Sequence, residues 1–286
     1  MSEMQMVVLL PGTLILVGKQ NLGKFSTILN LFPLKGNLNI SMAISLRIKK
    51  FVTSLQVKKY RKQEQCFVVQ GAKSVQELLA SDFEIVLMLV TEEFQANNQV
   101  PTSTEIIEVT HKELAGIGEF QSNDSVLAVA RMKPLAQLDV EPNEFALVLD
   151  DIRDPGNLGT IIRTADWFGI NKVIASEETA DFYSSKVIAA TMGSFTRCKI
   201  LYTDLAAYLQ SKKGARMFGA FLDGKDVHTV DFGRGGLVVI GNESRGISNE
   251  LAGFITDRIT IPKYGKAESL NAAMATGIIC DNLKRR

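Results

Sequence analysis

The sequence predicts an α/β fold in two domains, the second built on a parallel sheet covered by helices on both faces. Three observations predict it. The chain has 286 residues, room for two ordinary domains. From Phe145 onward, fully apolar runs such as Phe145 to Leu149 alternate with helical stretches, the pattern of strands buried on both sides. Between Leu46 and Ala130 strand and helix also alternate, which implies a smaller compact α/β domain of its own.

Composition narrows the class. Hydrophobic residues make up 46% and charged residues 22%, an ordinary globular mixture. The net charge of +1 produces no global field, so a nucleic-acid partner must show itself in local clustering. Cys66, Cys198 and Cys280 are odd in number and far apart, with no CxxC or Cys/His spacing. Reduced thiols and a cytoplasmic protein are expected. His111 and His228, the only histidines, have no carboxylate or cysteine at ligand spacing, so no metal is expected.

Residues 1–45 form the least defined part. Met6 to Val17 is apolar with a Pro11-Gly12 break, too short to span a bilayer, and Glu3 with no preceding Lys or Arg fits a signal peptide poorly. An extension is expected, ahead of a domain that begins near Ser45, with Met42 just before the start. The domain then occupies 46–135. It opens on a basic run without acids: Arg47, Lys49, Lys50, Lys58, Lys59, Arg61 and Lys62. Such a run reads either as a solvated helix face or as a phosphate-binding surface. Phe67-Val68-Val69 reads as a buried strand, Gly71 as a turn, and Ala72 to Ala80 as a helix with Val75, Leu78 and Leu79 on one side. Strands follow at Ile85 to Val90, at Ile106 to Val109 and at Ser125 to Ala130. The stretch from Lys133-Pro134 to Pro142-Asn143 reads as the connection, with the linker proper at 136–144.

The second domain, 145–286, alternates regularly. Strands are expected at Phe145 to Leu149, Lys172 to Ala175, Phe195 to Ile200, Met217 to Phe221 and Leu237 to Ile240. Helices are expected at Gly156 to Phe168, Ser184 to Ala190 and Leu205 to Gln210, with a closing helix over Leu270 to Leu283. No GxxxxGK[ST] is present, and Asp154-Pro155-Gly156-Asn157-Leu158-Gly159 has the wrong spacing for a dinucleotide loop. The Asp150-Asp151 pair has no third oxygen ligand nearby in sequence, which disfavours a metal there.

Chemistry concentrates where apolar runs end. Asn157-Leu158-Gly159-Thr160-Ile161-Ile162-Arg163 puts a polar amide in the first turn of a helix and an arginine six residues on. With Ile161, Ile162, Ala165, Trp167 and Phe168 around it, Arg163 is expected to face a cleft or an interface. Gly241-Asn242-Glu243-Ser244-Arg245-Gly246 follows a strand, and its glycines allow close approach of a ligand. Ile259-Thr260-Ile261-Pro262 and then Ser269-Leu270-Asn271 place two hydrogen-bonding side chains at a helix start, with Ser269 the simplest cap.

These three patterns, in this order and spacing, resemble the three motifs of the SpoU (TrmH-type) RNA ribose 2'-O-methyltransferases of the SPOUT superfamily. Lys59-Tyr60-Arg61 leading into Phe67 to Gly71 resembles the small L30e-like RNA-binding domain that precedes the catalytic domain in many members. The chain departs from the family at Gln70, where members usually have Glu, and near Ser125, where they usually have a glycine. The resemblance implies a deep trefoil knot, a fold feature otherwise nearly absent from proteins. It further implies S-adenosyl-L-methionine bound without metal by Gly241, Asn242, Ile261 and Leu270. Arg163 would act at the ribose hydroxyl, oriented with Asn157, Glu243, Ser269 and Asn271, while Lys58, Lys59, Arg61 and Lys62 hold RNA. A homodimer and a ribosomal rather than transfer RNA substrate are also implied. A catalytically silent RNA-binding protein is the alternative from another class, which retention of Asn157, Arg163 and the Ser269-Leu270-Asn271 group argues against. A Rossmann-type methyltransferase would need a glycine-rich loop after its first strand, which is missing.

Overall fold

The computed structural model describes residues 6–10, 13–17, 44–98, 100, 104–119, 125–134 and 138–285. Most of the amino-terminal extension therefore lies outside the described residues. Within it, β1 (Met6–Leu10) and β2 (Thr13–Val17) pair antiparallel as a unit of their own. Residues 41–286 form the other compact unit.

That unit opens with α1 (Leu46–Ser54), capped by the Ser45 hydroxyl accepting from the Ile48 N–H, and α2 (Lys58–Glu64). Gln65, in the left-handed conformation at φ 51°, ends α2 and turns the chain into β3 (Cys66–Gln70). Then come α3 (Ala72–Leu79), β4 (Ile85–Val90), α4 (Glu92–Asn97), β5 (Glu105–Glu108), α5 (His111–Ala115) and β6 (Val126–Arg131). The strands form one sheet in the order β3-β6-β4-β5. The two short helices that periodicity does not reveal, α4 and α5, are set by their caps, Thr91 and Thr110, the latter in a reciprocal capping box with Glu113.

Beyond them lie β7 (Phe145–Leu149), α6 (Pro155–Trp167), β8 (Lys172–Ala175), α7 (Ser185–Thr191), β9 (Lys199–Tyr202), α8 (Leu205–Ser211), β10 (Met217–Asp226), β11 (Gly236–Ile240), α9 (Asn249–Ala252), β12 (Asp257–Thr260) and α10 (Ala272–Lys284). The sheet order is β12-β10-β11-β7-β8-β9 and every pairing is parallel. All five residues of β7 and of β11 are buried, which is why these runs carry no alternation.

Two expectations need correcting here. Phe195 does not start a strand: Ser194–Thr196 is a single 3-10 turn and β9 begins at Lys199. The turn aims Phe195, 1% exposed, at Phe67 and Phe83, with ring centroids 6.0 and 5.9 Å away. Nor is Met217 to Phe221 the whole of its strand. β10 continues to Asp226, pairing again with β12 at Lys225 and Asp226 after a shift in register.

Phe195, Phe67, Phe83 and Tyr183 join the two sheets into one core. Phe67 and Tyr183 lie 4.6 Å apart between centroids, and the Tyr183 hydroxyl accepts from the Lys133 N–H at 3.1 Å. Arg61 completes the joint. It is 3% exposed, donates to the carbonyls of Leu55 and Gln56 at 2.8 Å, and pairs with Asp181 at 2.5 Å. Contrary to its reading as a phosphate-binding side chain, its guanidinium is buried inside the protein, with Nε left without a hydrogen-bond partner. Lys58, Lys59 and Lys62 are exposed.

Candidate active site at the carboxyl ends of the strands

β7, β11 and β12 all end on one rim, and their following loops meet there, the usual place for chemistry on an open parallel sheet. From β7 the chain passes through Asp150 to Asp154, which caps α6 by accepting from the Asn157 N–H at 2.7 Å. Pro155 at the first helical position needs no partner for an N–H, so the helix starts sharply and places Asn157 in its first turn.

From β11 the chain enters a tight loop. The backbones of Asn242 and Gly246 exchange hydrogen bonds at 3.1 and 2.8 Å, with Gly246 at φ 68°. A Cβ on Gly241 would sit 2.2 Å from the Gly246 carbonyl carbon, so only glycine lets the loop close this tightly. Asn242 accepts from the N–H groups of Ser244 and Arg245 through its Oδ1 and donates through Nδ2 to the Asp151 carbonyl at 2.8 Å. The Asp150 carboxylate accepts from the Ser248 N–H. Thus the first loop holds the second at both ends.

From β12 the loop through Ile261, Pro262, Ser269 and Leu270 reaches α10. The cap of α10 is Asn271, whose Oδ1 accepts from the N–H groups of Ala273 and Met274. Ser269 is exposed and does not cap the helix, contrary to the simplest reading of the motif. With its oxygen committed, Asn271 turns its Nδ2 to Asn157 Oδ1 at 2.8 Å, and Asn157 Nδ2 donates to Glu243 Oε1 at 2.5 Å. The three motif loops are thereby joined in one directed chain of side-chain hydrogen bonds.

A cavity of about 860 Å³ opens beside this chain, lined by Gly241, Asn242, Glu243, Ile261, Ser269 and Leu270 among others. Its size suits a nucleoside-sized ligand. Glycine backbone at 241, apolar side chains at Ile240, Ile261 and Ile279, and polar groups at Asn242, Glu243 and Ser269 suit an adenosyl group carrying an amino-acid tail. Among the described residues no group of three or more His, Cys, Asp or Glu could hold a metal ion. The three cysteines are buried free thiols, and burial pushes Cys198 and Cys280 up to about 12.

Arg163 lies on the exposed face of α6 and makes no hydrogen bond or ion pair among the described residues. The apolar surround expected for it is not present within the chain. Leu158, Ile161, Ile162 and Ala165 take the buried face, while Trp167, one turn beyond Arg163, is 85% exposed. Sequence reasoning missed the roles of Asp150 and Asp151 as anchors for the second loop; their position at the end of β7 was the available signal.

Residues 144–281 match the model of the SpoU rRNA Methylase family, and residues 47–128 match the MRM3-like substrate binding domain. A putative RNA methyltransferase of the TrmH family from Porphyromonas gingivalis is 34% identical, with a TM-score of 0.76 over 85% of this chain and 98% of that one. An AdoMet-bound rRNA methyltransferase from Sinorhizobium meliloti is 31% identical, with a TM-score of 0.75 over 84% of this chain and 95% of that one. In Bacillus subtilis, the 23S rRNA (guanosine(2553)-2'-O)-methyltransferase RlmP is 28% identical over 233 residues, covering 80% of this chain and 93% of that protein. The fold is that of an RNA methyltransferase. The chain belongs to the SpoU rRNA methylase family, with a substrate-binding domain ahead of the catalytic one.

Proposed function

We propose that this protein transfers the methyl group of S-adenosyl-L-methionine to a ribose 2'-hydroxyl in ribosomal RNA. The observation that carries the reading is the Asn271-Asn157-Glu243 chain, because it ties all three motif loops into one wall beside the cavity. The 23S rRNA 2'-O-methyltransferase activity in the name of the Bacillus subtilis relative and the bound AdoMet of the Sinorhizobium meliloti structure support it.

When bound, the cofactor supplies a sulfonium methyl, a leaving group that needs no metal. Gly241, Asn242, Ile261 and Leu270 would hold it, chiefly through backbone groups. Arg163 is the residue for the ribose side: a guanidinium is a poor proton acceptor, so its part is to stabilise the developing alkoxide or hold the adjacent phosphate. Asn157, Glu243, Ser269 and Asn271 orient the groups, which matters because in-line displacement depends on alignment.

The chain divides into an extension at 1–45, an L30e-like RNA-binding domain at 46–135, a linker at 136–144 and a catalytic domain at 145–286. The loops after β11 and β12 are threaded as a trefoil knot. Lys58, Lys59 and Lys62 contact RNA. The protein acts as a homodimer, supported by the exposed Trp167 and Met274, 85% and 62% exposed, on the packed helices α6 and α10. It works in the cytoplasm; among the described residues no helix is long and apolar enough to cross a membrane.

The test is calorimetry with S-adenosylmethionine and its demethylated product, without added metal, followed by methyl transfer to unmodified ribosomal RNA transcripts. Binding and transfer are expected. Absence of binding at millimolar ligand would leave an RNA-binding protein without catalysis.

A further inference from the structure

The exposed arginines of the rim converge on one carboxylate. Asp151 Oδ1 accepts from Arg153 Nε at 2.6 Å, and Asp151 Oδ2 lies 4.0 Å from Arg245 Nη2. The two side chains remain 58% and 70% exposed while the Asp151 side chain is 16% exposed. Arg153 lies four residues before Asn157 and Arg245 two residues after Glu243, so each arginine stands on a segment that carries one partner of the Asn157–Glu243 contact.

An ordinary surface ion pair has no need of a fixed backbone. Asp151 has one: its φ is 60°, in the left-handed region, and every polar group it carries is engaged. Its N–H donates to Ser176 Oγ at 3.0 Å, its carbonyl accepts from Asn242 Nδ2 at 2.8 Å, and its carboxylate accepts from Arg153 Nε at 2.6 Å and Asn242 Nδ2 at 3.5 Å, with Arg245 at ion-pair range. Ser176 in turn meets Thr179, whose hydroxyl bonds the Leu149 carbonyl at the end of β7. Strain held in place from several sides is characteristic of functional loops.

We infer that Arg153 and Arg245, oriented by Asp151, form a binding site for the phosphodiesters on either side of the reacting ribose. The inference rests on the reading of the protein as an RNA methyltransferase. Each guanidinium has five N–H donors and the carboxylate uses only a part of them, leaving planar forks directed outward that match phosphate oxygens. Asp151 is a positioning residue here: it holds Arg153 by a hydrogen bond and keeps Arg245 at ion-pair range, at the cost of one negative charge near the RNA.

Two variants test the site. Arg153→Gln/Arg245→Gln is expected to weaken binding of a fluorescein-labelled RNA hairpin and to flatten its dependence on salt between about 50 and 200 mM, by roughly 0.7 to 0.9 in log–log slope for each arginine. Asp151→Asn keeps a residue that tolerates the left-handed backbone. It is expected to bind the hairpin as tightly as the parent or more tightly, yet to lose about tenfold in kcat on ribosomal RNA transcripts, since charge is gained and orientation lost. Both measurements are made at saturating S-adenosylmethionine, because Arg245 lines the cofactor cavity and Asp151 anchors Asn242. If the double variant is unstable, Arg245→Gln alone decides, because that side chain is 70% exposed. An unchanged salt slope in a folded variant, or parental kcat in Asp151→Asn, overturns the site while leaving the methyltransferase reading intact. A parent protein that binds cofactor but neither binds nor methylates RNA overturns both.

Discussion

Asn157 Oδ1 accepts from Asn271 Nδ2 at 2.8 Å, and this contact sets the orientation of the Asn157 amide. Asn271 has no choice of direction, because its oxygen already accepts from two N–H groups at the start of α10. Asn157 must therefore present its NH2 to Glu243, an acceptor-only carboxylate. Helix capping, which is a local property, thus fixes a side chain on another helix 114 residues away in sequence.

Replacing Asn157 by Asp tests that direction with almost no change in shape. Two carboxylates would face each other across the 2.5 Å contact, so one of them should hold a proton more tightly than usual. A raised carboxyl pKa means that the protonated, donating form is recovered as pH falls and lost as pH rises. Cofactor affinity of Asn157→Asp should thus be poorer than that of Asn157→Ala at pH 8 and improve toward pH 5, where the alanine variant shows no such trend. Calorimetry at both pH values checks it, and a flat profile for the aspartate variant would show that the contact does not govern the loop.

Arg163→Ala should abolish methyl transfer while leaving cofactor binding within about twofold of the parent. Its side chain is exposed and makes no bond within the chain, so the melting temperature should stay within about 2 °C. Lysine should rescue little, since it lacks the planar fork. Single-turnover methylation of ribosomal RNA by each variant is the measurement; parental rates in Arg163→Ala would remove the residue from the mechanism.

What could be read from the sequence follows how local its cause is. The Val/Ile/Leu runs of β7 and β11 announce strands because burial on both faces leaves no room for polar residues. The Thr110-His111-Lys112-Glu113 capping box was equally local and legible, yet the short helix it starts buries only Leu114 and gives no period to recognise. Phe195 misleads for the opposite reason: an aromatic residue just ahead of Cys198-Lys199-Ile200 reads as the start of that strand, but contacts with Phe67 and Phe83 claim the ring. In the site, the motif residues are visible as types and spacings, whereas the bonds joining them cross loops of three different strands. Arg61 shows the limit. Its charge reads as surface, and its partner Asp181 is 120 residues away.

β12, which feeds the third motif loop, sits at the edge of the sheet and is held partly by charge. Arg216 donates to Asp257 at 2.7 Å, and this bond holds the Asp257 carboxyl below its ordinary range. A carboxylate with a lowered folded pKa adds stability that is fully present above its unfolded value of about 3.9 and is lost as pH falls through the folded one. Arg216→Gln should consequently be less stable than the parent at pH 7, and the difference should shrink as pH drops toward 3. Hydrogen exchange at the β10 and β12 amides, compared across that range, reports it; an equal difference at both ends would assign the effect to lost packing of Arg216 on Phe218 instead.

The basic run contains two kinds of residue, and they should separate cleanly by experiment. Lys58, Lys59 and Lys62 are exposed, so changing all three to Gln should weaken RNA binding and reduce its log–log salt slope by roughly 2 to 3, with little effect on melting. Arg61→Gln should do the reverse. It leaves Asp181 without its buried partner and opens the joint between the two sheets, which costs about 3 to 5 kcal/mol where a buried pair is broken. The salt slope of whatever fraction remains folded should equal that of the parent, because Arg61, 3% exposed, presents no donor at the surface. Denaturation curves and salt titrations of the two variants decide between these assignments. Should Arg61→Gln instead lower the slope at unchanged stability, the ion pair with Asp181 would have to open when RNA binds.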